Sequence, residues 1–552
     1  MPISRWIIAL LIPGVMPAFG QLHRPADPLA IARAELLQQG YLPEDLANLV
    51  VKDAYVTGGN GVRHTYIRQR WQGIEVWNGD IAVHLSNSGQ LVKLNNGAWS
   101  ALSGRVNGIT PQVSAATALA TVLAMNAPGV AMPALISTAD AGRFLVFDGS
   151  ALGEQPVQVR LMLQPVGEQL LLAWNVNHYM PDGSHWWNVR IDAMTGEEIG
   201  RNDWVSECGM EHAHDHAICI EPEAAAPPPA APNDYRVYPA PVETPNHGAR
   251  AIRNAPWLAG GIASPYGWHD TNGANGAEYT YTRGNNVWAQ EDANGNNGTG
   301  YSPTSATLDF DYAINLTLAP VNYQDAAITN LYYWNNLIHD VWYAYGFNEA
   351  SGNFQSNNYG RGGTANDYVL ADAQDGGGTN NANFATPPDG TTPRMQMYLW
   401  NYTTPLRDGD LDNGIIAHEY GHGISNRLVG GPANVNCLSN AEQMGEGWSD
   451  WIALMMTIEP GDLGPDRRGI GTYVINQGVT GGGIRPAPYS TSFAQNNYTY
   501  AATNNAALAA PHGIGFVWCT MLWEMSWELI NAYGFDSNLY TGTGGNKIAR
   551  SL

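Results

Sequence analysis

The alternation of apolar and polar residues divides the first part of the chain into two similar stretches. In each, apolar residues spaced three and four apart, which predict a helix, precede segments in which every second residue is apolar, which predict strands. The predicted helices cover residues 29–39 and 111–125, and the predicted strands include residues 63–68, 73–78, 170–176 and 186–191. We therefore predict two small α+β modules, at residues 21–105 and 106–205.

The chain begins with the features of an export signal. Arg5 precedes an apolar run over residues 6–16, and the small residues Ala18 and Gly20 predict cleavage directly after them. A membrane anchor is the competing interpretation, but the run is interrupted by proline and is shorter than the roughly 20 apolar residues that a spanning helix needs. We therefore predict a signal peptide at residues 1–20, a secreted protein and no membrane partner.

A linker at residues 206–234 follows the second module. Its segment 221–232 consists of proline, alanine and glutamate, which cannot form a core and leave the backbone open to proteases, so we expect maturation near its end. In an exported chain we expect Cys208 and Cys219 to form a disulfide. The alternative is a second metal site formed by the histidines between these cysteines, which are His212, His214 and His216.

Composition and charge exclude some classes of partner. The net charge of −23 argues against nucleic acid, because a phosphate backbone requires a positive protein surface. Only 14% of the residues are charged, whereas glycine, asparagine and aromatic residues are plentiful, which is typical of a loop-rich extracellular enzyme. A length of 552 residues predicts more than one core. We expect a monomer.

A five-residue motif over residues 418–422, His-Glu-Tyr-Gly-His, carries the strongest chemical signal. Residues four apart share one face of a helix, so His418 and His422 can both direct an imidazole nitrogen at one Zn²⁺. Glu419 lies one position further round, where its carboxylate can take the proton of a zinc-bound water that attacks a peptide carbonyl. The motif predicts one catalytic zinc ion, although the same motif also occurs by chance.

A second segment supplies the third protein ligand. Residues 441–457 predict a helix that carries Glu446 and Asp450 four positions apart. We choose Glu446 as the ligand, which leaves the fourth position of the zinc open for water. Asp450, one turn later, can accept a hydrogen bond from the non-ligating ring nitrogen of a zinc histidine, which we take to be His418.

The polar segment before the motif has two interpretations. The aspartates at positions 408, 410 and 412 resemble the start of a calcium loop, but the twelfth position of such a loop would be Glu419, which the zinc chemistry already uses. We interpret the segment as a turn that begins the metal helix, with Asp412 or Asn413 near the N-cap. Calcium binding elsewhere stays open, without an assigned site.

A candidate substrate-binding segment lies further upstream. It predicts the edge strand of a sheet, along which an extended peptide can pair main chain to main chain. Its residues are Asn381, Ala382, Asn383 and Phe384.

Several segments are similar to one known family. The run Arg-Asp-Gly-Asp-Leu-Asp-Asn-Gly at residues 407–414 leads into the motif, and residues 421–428 continue it. Together with residues 264–269, 282–287, 333–336 and 383–390, they resemble the fungalysin family of secreted metalloproteases, within the thermolysin-like group. The resemblance covers nearly the whole chain, and Glu446 with Asp450 matches the glutamate ligand and following aspartate of thermolysin-like enzymes.

The resemblance implies an α+β fold with two propeptide modules before the enzyme. Residues 21–105 resemble the fungalysin/thermolysin propeptide module, and residues 106–205 resemble a PepSY module. Residues 235–552 would then form a thermolysin-like catalytic domain with a β-rich N-terminal lobe and a helical C-terminal lobe. The resemblance also implies polypeptide substrates, cleavage before bulky hydrophobic residues, and a propeptide that inhibits and chaperones its own enzyme.

The resemblance assigns one more catalytic residue. His512 precedes an apolar helix at residues 516–533, and its position is similar to that of the histidine that donates to the oxyanion in thermolysin-like enzymes. The chain departs from the family after Asn546, where the family continues with further helices, so we expect a shortened C-terminal lobe. Cys437 and Cys519 then either pair with each other, or Cys437 lacks the partner that a longer chain would supply.

Three hypotheses from different classes follow from these observations. The first is a secreted zinc endopeptidase that is made as a zymogen. The second is a zinc aminopeptidase, which would need an anionic pocket for the free amine of its substrate. The third is a zinc-binding protein with weak or no catalysis, because its C-terminal lobe is shortened.

Overall fold

The computed structural model of the protein describes residues 27–57, 60–152, 155–208, 233–439, 444–505 and 507–551. The predicted signal peptide, the proline-rich linker segment and its histidines, and Cys219 lie outside these residues. Within the described ranges, no helix combines the length and apolar character that a membrane span requires.

The N-terminal region is a ten-stranded sheet with helices packed against it. The strands are β1 (Val50–Val56), β2 (Arg63–Trp71), β3 (Ile74–Leu85), β4 (Leu91–Asn96), β5 (Leu135–Ala139), β6 (Phe144–Phe147), β7 (Val157–Val166), β8 (Gln169–Tyr179), β9 (Trp186–Asp192) and β10 (Glu198–Asp203). The helices are α1 (Pro28–Gln38), α2 (Leu102–Arg105) and α3 (Ala115–Asn126), with a 3₁₀ turn at Asp140–Gly142. The main strand order is β1-β2-β3-β7-β8-β9-β10, with β4 beside β3 and β5-β6 beside β7.

The sheet of this region carries two hydrophobic cores. In the first, Ala32 and Leu36 of α1 pack with residues of β2 and β3 such as Ile67. In the second, α3 packs over β7 to β9, where Leu119 contacts a cluster that includes Val176. The modules meet where β3 and β7 pair in parallel. Ile74, Val76 and Leu102, which precede residue 105, belong to the second core, and the boundary between residues 105 and 106 stays a prediction.

Two further sheets belong to the second half of the chain. Their strands are β11 (Val205–Glu207), β12 (Asp234–Val237), β13 (Ala251–Asn254), β14 (Val287–Glu291), β15 (Asp309–Phe310), β16 (Val369–Thr379), β17 (Ala382–Ala385), β18 (Arg394–Trp400) and β19 (Arg407–Asp408). One sheet has the order β11-β17-β18-β16-β14 with β19 beside β18, and the other has the order β13-β12-β15. β11 lies at the junction between the second predicted module and the predicted linker, yet it pairs with β17.

Five helices complete this half among the described residues. They are α4 (Gln324–Ala344), α5 (Asn413–Val429), α6 (Gly445–Thr457), α7 (His512–Tyr533) and α8 (Gly545–Ser551), with 3₁₀ turns at Pro256–Ala259, Gly261–Ala263, Pro320–Tyr323, Glu349–Ser351, Gly409–Leu411 and Tyr500–Asn504. α4 packs between the sheets and α5, and α5, α6, α7 and α8 then contact one another in chain order. The fold is a mixed α+β architecture, as predicted.

The N-terminal region docks on the loop that follows α5. The hydroxyl of Tyr66 donates to the carbonyl oxygen of Leu428 at 3.1 Å, and the amide nitrogen of Ala433 donates to Asp53 at 3.0 Å. The indole of Trp204 donates to the side-chain oxygen of Asn436 at 2.8 Å. These contacts tie the N-terminal region to the second half of the chain beside the predicted metal helix.

The structure does not contain the disulfide between Cys437 and Cys519 that was one of the two alternatives for these cysteines. Cys437 and Cys519 are both free thiols, so they do not pair with each other. Cys208 is also free with respect to the described residues. Its predicted partner Cys219 lies outside the described ranges, so that disulfide stays a prediction.

Candidate metal centre

The turn before α5 positions the first metal motif. Asp412 is the N-cap of α5, and its side chain accepts a hydrogen bond from the amide of Ile415. Asp410 is fully buried and accepts from the amide of Gln374 at 2.9 Å, and burial raises the pKa of Asp410 well above its usual value. The aspartates therefore act here as buried turn and cap residues, in line with the turn interpretation.

The two motif histidines lie on one face of α5. The Nε2 atoms of His418 and His422 are 3.1 Å apart, and both rings are almost completely buried. Glu446, on α6, reaches the same point, with its carboxylate oxygens 3.4 Å from His418 Nε2 and 3.5 Å from His422 Nε2. Three potential ligand atoms, from His418, His422 and Glu446, thus converge on one position.

Close packing of helices brings these ligands together. A methyl group added at Gly421 of α5 would lie 2.9 Å from Cα of Ser449 on α6. A methyl group at Gly515 of α7 would lie 2.4 Å from Cβ of Glu446. Glycine is therefore needed at both crossings, because a larger residue would push α5 and α7 away from α6.

A buried network holds the ring of His418. Its Nδ1 lies 2.7 Å from Oδ1 of Asp450, on the side of the ring opposite Glu446. Arg485 donates to Asp450 from Nε at 2.7 Å and from Nη2 at 2.9 Å, and its Nη2 lies 3.3 Å from Glu446 Oε2. The hydroxyl of Tyr489 donates to Asp450 as well. The arrangement orients an imidazole in the manner of a carboxylate–histidine–metal triad.

Charge determines the protonation of the ligand set. Burial disfavours the ionised carboxylates of Glu446 and Asp450, but the neighbouring histidines and Arg485 outweigh burial and hold both pKa values well below the usual range. Burial lowers the pKa of His422 to about 3, which leaves its ring neutral and able to bind a cation. For His418, the surrounding thiol and carboxylates outweigh burial and raise the pKa, so a cation would displace a proton there.

Glu419 lies directly beside the cluster. Both of its carboxylate oxygens are buried, and neither has a hydrogen-bond partner among the described residues. Burial raises the pKa of Glu419 to about 8. A buried carboxylate without a partner next to two histidines and a glutamate is expected where a metal-bound polar group completes the site, so this donor set fits a zinc ion.

His512 begins α7 on the opposite side of the cluster. Its Nε2 lies 3.6 Å from Glu446 Oε2 and 2.8 Å from the carbonyl oxygen of Glu207. The ring therefore contacts both the ligand set and a main-chain carbonyl that lies beside it. A protonated His512 Nε2 would donate to that carbonyl oxygen.

The predicted substrate segment forms strand β17 and the residue before it. β18 pairs with one edge of β17, and β11 pairs with the other edge in antiparallel register, with Ser206 opposite Phe384 and Glu207 opposite Asn383. The side chain of Asn383 is buried and donates to Tyr398 Oη at 2.7 Å, so this residue offers only its main chain to the cleft. Asn381 lies outside the strand, with Nδ2 at 3.5 Å from Glu207 Oε2.

Three residues of the centre were not predicted from the sequence. They are Cys208, Arg485 and Tyr489. Arg485 and Tyr489 occupy a loop without helical or strand periodicity, 35 and 39 positions beyond Asp450, so no spacing rule connects them to the metal helices. Cys208 precedes the metal motif by 210 positions and was assigned instead to a disulfide.

A second acidic group lies away from this centre. Carboxylate oxygens of Asp292, Asp372 and Asp375 lie within 4.8 Å of one another. Arg394 pairs with Asp372, and burial raises the pKa of Asp375 to about 7, so the group balances its charge within the protein. The group does not by itself define a calcium site.

The fold and the donor set define a metal-dependent hydrolase of the HExxH class that carries an N-terminal propeptide-like region. Residues 234–552 match the model of the family described as fungalysin metallopeptidase (M36), and residues 47–98 match the fungalysin/thermolysin propeptide motif. The chain therefore belongs to the fungalysin metallopeptidase family. It is a secreted zinc metalloendopeptidase that is made with a propeptide.

Curated fungal proteins are similar to most of the chain. Extracellular metalloproteinase 2 of Trichophyton tonsurans is 36% identical over 518 residues, which cover 92% of this chain and 76% of that protein. Extracellular metalloproteinase mep of Aspergillus fumigatus is 38% identical over 495 residues, which cover 88% of this chain and 72% of that protein. A solved structure, the Bacillus megaterium YpeB C-terminal domain, covers 33% of this chain and 69% of that chain at 11% identity, but its TM-score of 0.17 supports no conclusion.

Proposed function

We propose that the chain uses a single catalytic zinc ion held by His418, His422 and Glu446. The observation that carries this proposal is the convergence of the two Nε2 atoms and the Glu446 carboxylate, at separations of 3.1 to 3.5 Å. When bound, zinc lowers the pKa of its water and polarises the substrate carbonyl. Asp450 holds His418 in the orientation that presents Nε2 to the metal.

Glu419 acts as the general base in this proposal. Its unpartnered carboxylate accepts the proton of the attacking water and later passes it to the leaving amine. Its burial supports this role, because a carboxyl with a raised pKa can hold a proton between the two steps. His512 donates a hydrogen bond to the carbonyl oxygen as negative charge develops on it, and its contact with the Glu207 carbonyl supports that role.

In this proposal the substrate takes the place of β11 and binds along the same edge of β17, at the segment Asn381, Ala382, Asn383 and Phe384. The path of β11 supports an endopeptidase over an aminopeptidase. Val205, Ser206 and Glu207 pair with β17 on the N-terminal side of the carbonyl that His512 contacts. The cleft therefore accommodates several residues before the reacting bond, whereas an aminopeptidase blocks its cleft after one residue. A preference for hydrophobic residues after the cut follows from the family resemblance.

The proposed organisation comprises a signal peptide at 1–20, a propeptide module at 21–105, a PepSY-like module at 106–205, a linker with the maturation site at 206–234 and a two-lobed catalytic domain at 235–552. The contacts of Tyr66, Asp53 and Trp204 with the loop after α5 support a propeptide that chaperones and inhibits the enzyme. The enzyme acts as a monomer on polypeptides.

The test compares processed wild-type protein with Glu419→Gln. We expect one zinc per chain in both proteins, and chelator-sensitive cleavage of internal bonds in casein by the wild type alone. Glu528→Gln is the matched control, because Glu528 is an exposed glutamate on α7, and it should cleave casein like the wild type. Release of N-terminal residues alone would favour the aminopeptidase. Zinc binding without cleavage would favour the silent protein, and cleavage that chelator does not change would contradict the proposal.

A further inference from the structure

Strand β11 brings a buried thiol to the metal centre. The main chain of residues 205–207 pairs with β17, and the amide of Cys208 donates to the carbonyl oxygen of Ala382 at 2.9 Å. Cys208 is fully buried, and its sulfur lies within 4.8 Å of a ring nitrogen of His418 and of a carboxylate oxygen of Glu419. The start of the linker thus occupies the cleft, with the thiol of Cys208 beside His418 and Glu419.

Two further contacts place this segment where a substrate would bind. The carbonyl oxygen of Glu207, the residue before Cys208, lies 2.8 Å from His512 Nε2. Nη2 of Arg485, which also contacts Glu446 and Asp450, lies 3.9 Å from the Cys208 sulfur. The Glu207–Cys208 peptide bond therefore lies at the position assigned to the reacting bond of a substrate. Unlike a typical substrate residue, however, Cys208 carries a side chain that can itself bind the metal.

We propose that, in the precursor, Cys208 is the fourth protein ligand of the zinc ion and keeps the enzyme latent. This inference rests on the proposed ligand set of His418, His422 and Glu446. Cysteine binds zinc as a thiolate, so the thiol releases its proton as the Zn–S bond forms, and the water that would otherwise hold the fourth position leaves. Without that water Glu419 has no nucleophile to activate.

Inhibition by a bond between Cys208 and zinc differs from inhibition by a pro-segment that only occupies the cleft. A pro-segment paired with β17 blocks the approach of substrate, but it leaves the metal-bound water in place and can be cut like a substrate. A sulfur ligand removes the water, so the Glu207–Cys208 bond lies at the centre without being hydrolysed. Release of Cys208 from the metal then precedes catalysis, even after the chain has been cut in the linker.

The test uses full-length precursor in which cobalt replaces zinc. Cobalt bound to a thiolate shows a sulfur-to-cobalt charge-transfer absorption in the near ultraviolet, besides visible bands that report metal binding in general. We expect the charge-transfer absorption in the wild type and in Cys437→Ser, a control that removes another thiol. We expect Cys208→Ser to lose that absorption, to keep the visible bands and one metal per chain, and to convert to mature enzyme faster than the wild type.

The outcomes separate this inference from the proposed function. If the wild type binds one cobalt per chain with visible bands but without a sulfur band that depends on Cys208, the thiol ligand is wrong and the three-residue site stands. If the wild type binds no cobalt at the centre, both proposals fail. A peptide map of the unreduced precursor gives an independent measurement, because a Cys208–Cys219 disulfide would overturn the inference.

Discussion

His418 Nδ1 and Asp450 Oδ1 lie 2.7 Å apart and join the helix that carries the HExxH motif to the helix that carries the third ligand. The other ring nitrogen of His418 lies 3.4 Å from Glu446, so Asp450 determines which nitrogen is free for a metal. One hydrogen bond thus sets both the orientation and the tautomer of His418, the proposed zinc ligand.

Substitution Asp450→Asn is expected to weaken zinc binding. An amide has no net charge with which to polarise the ring, and loss of such a partner typically lowers metal affinity by about 10–100-fold. Competition with a chelator of known affinity measures the effect in the mature enzyme. Asp466→Asn is the matched control, because Asp466 is an exposed aspartate, and this variant should bind zinc like the wild type. Equal affinities of Asp450→Asn and wild type would contradict the assigned role.

Arg485 and Tyr489 should differ in their effect on stability, although both donate to Asp450. Arg485→Met removes the buried cation that compensates Asp450 and Glu446, and breaking such a buried pair costs about 3–5 kcal/mol. Tyr489→Phe removes one hydrogen bond, which costs about 1–3 kcal/mol when the acceptor stays buried. Denaturant unfolding of the zinc-loaded proteins measures both losses. Equal losses would mean that the charge of Arg485 is not what the network needs.

Removal of zinc is expected to lower the unfolding temperature of the mature enzyme. A ligand that binds only the folded state at a concentration 1,000 times its Kd adds about 4 kcal/mol of stability. Calorimetry with zinc and with excess chelator should therefore show separate transitions for the wild type. His422→Ala should unfold at one temperature in both conditions, because it lacks one ligand. A zinc-dependent shift in His422→Ala as large as that of the wild type would place the stabilising ion elsewhere.

His512→Ala is expected to reduce kcat by about 10²–10³-fold with little change in KM, because the hydrogen bond to the oxyanion strengthens in the transition state. Steady-state cleavage of a peptide substrate by the mature enzyme separates the two constants. Tyr500→Phe is the control, since Tyr500 is 68% exposed and is expected to leave both constants unchanged. A rise in KM alone would assign His512 to substrate binding.

The grouping of His418 and His422 was predictable because helix geometry is local. Spacing alone places His418 and His422 on one face, and the amphipathic pattern around Glu446 predicts a second helix that must pack somewhere. The tertiary contacts that bring the two helices together could not be predicted from such local patterns. Arg485 and Cys208 reach the centre through a loop and a β-bridge, and no periodic pattern indicates either contact.

The domain organisation was likewise predictable only as far as local sequence patterns determine it. Two N-terminal modules were predicted from the repeated order of helix and strands, and the region has two cores, the second of which includes Ile74 and Val76 of the first predicted module. The parallel pairing of β3 with β7, which joins them into one sheet, depends on contacts between residues such as Val76 and Leu163 that lie far apart in sequence. Alternating strands report which face is buried and not which neighbour they pair with.

Gly421 lies where the metal helix α5 packs directly against the backbone of α6. A methyl group at Gly421 would lie 2.9 Å from Ser449 Cα, so Gly421→Ala must separate the two ligand helices or distort them. Such overpacking costs about 1–3 kcal/mol, more than the roughly 0.5–1 kcal/mol that alanine contributes to a helix. Thermal unfolding and chelator competition should show lower stability and weaker zinc binding. Gly482→Ala, with no atom within 4 Å of the added methyl, should change neither, and equal behaviour of the two variants would refute the packing argument.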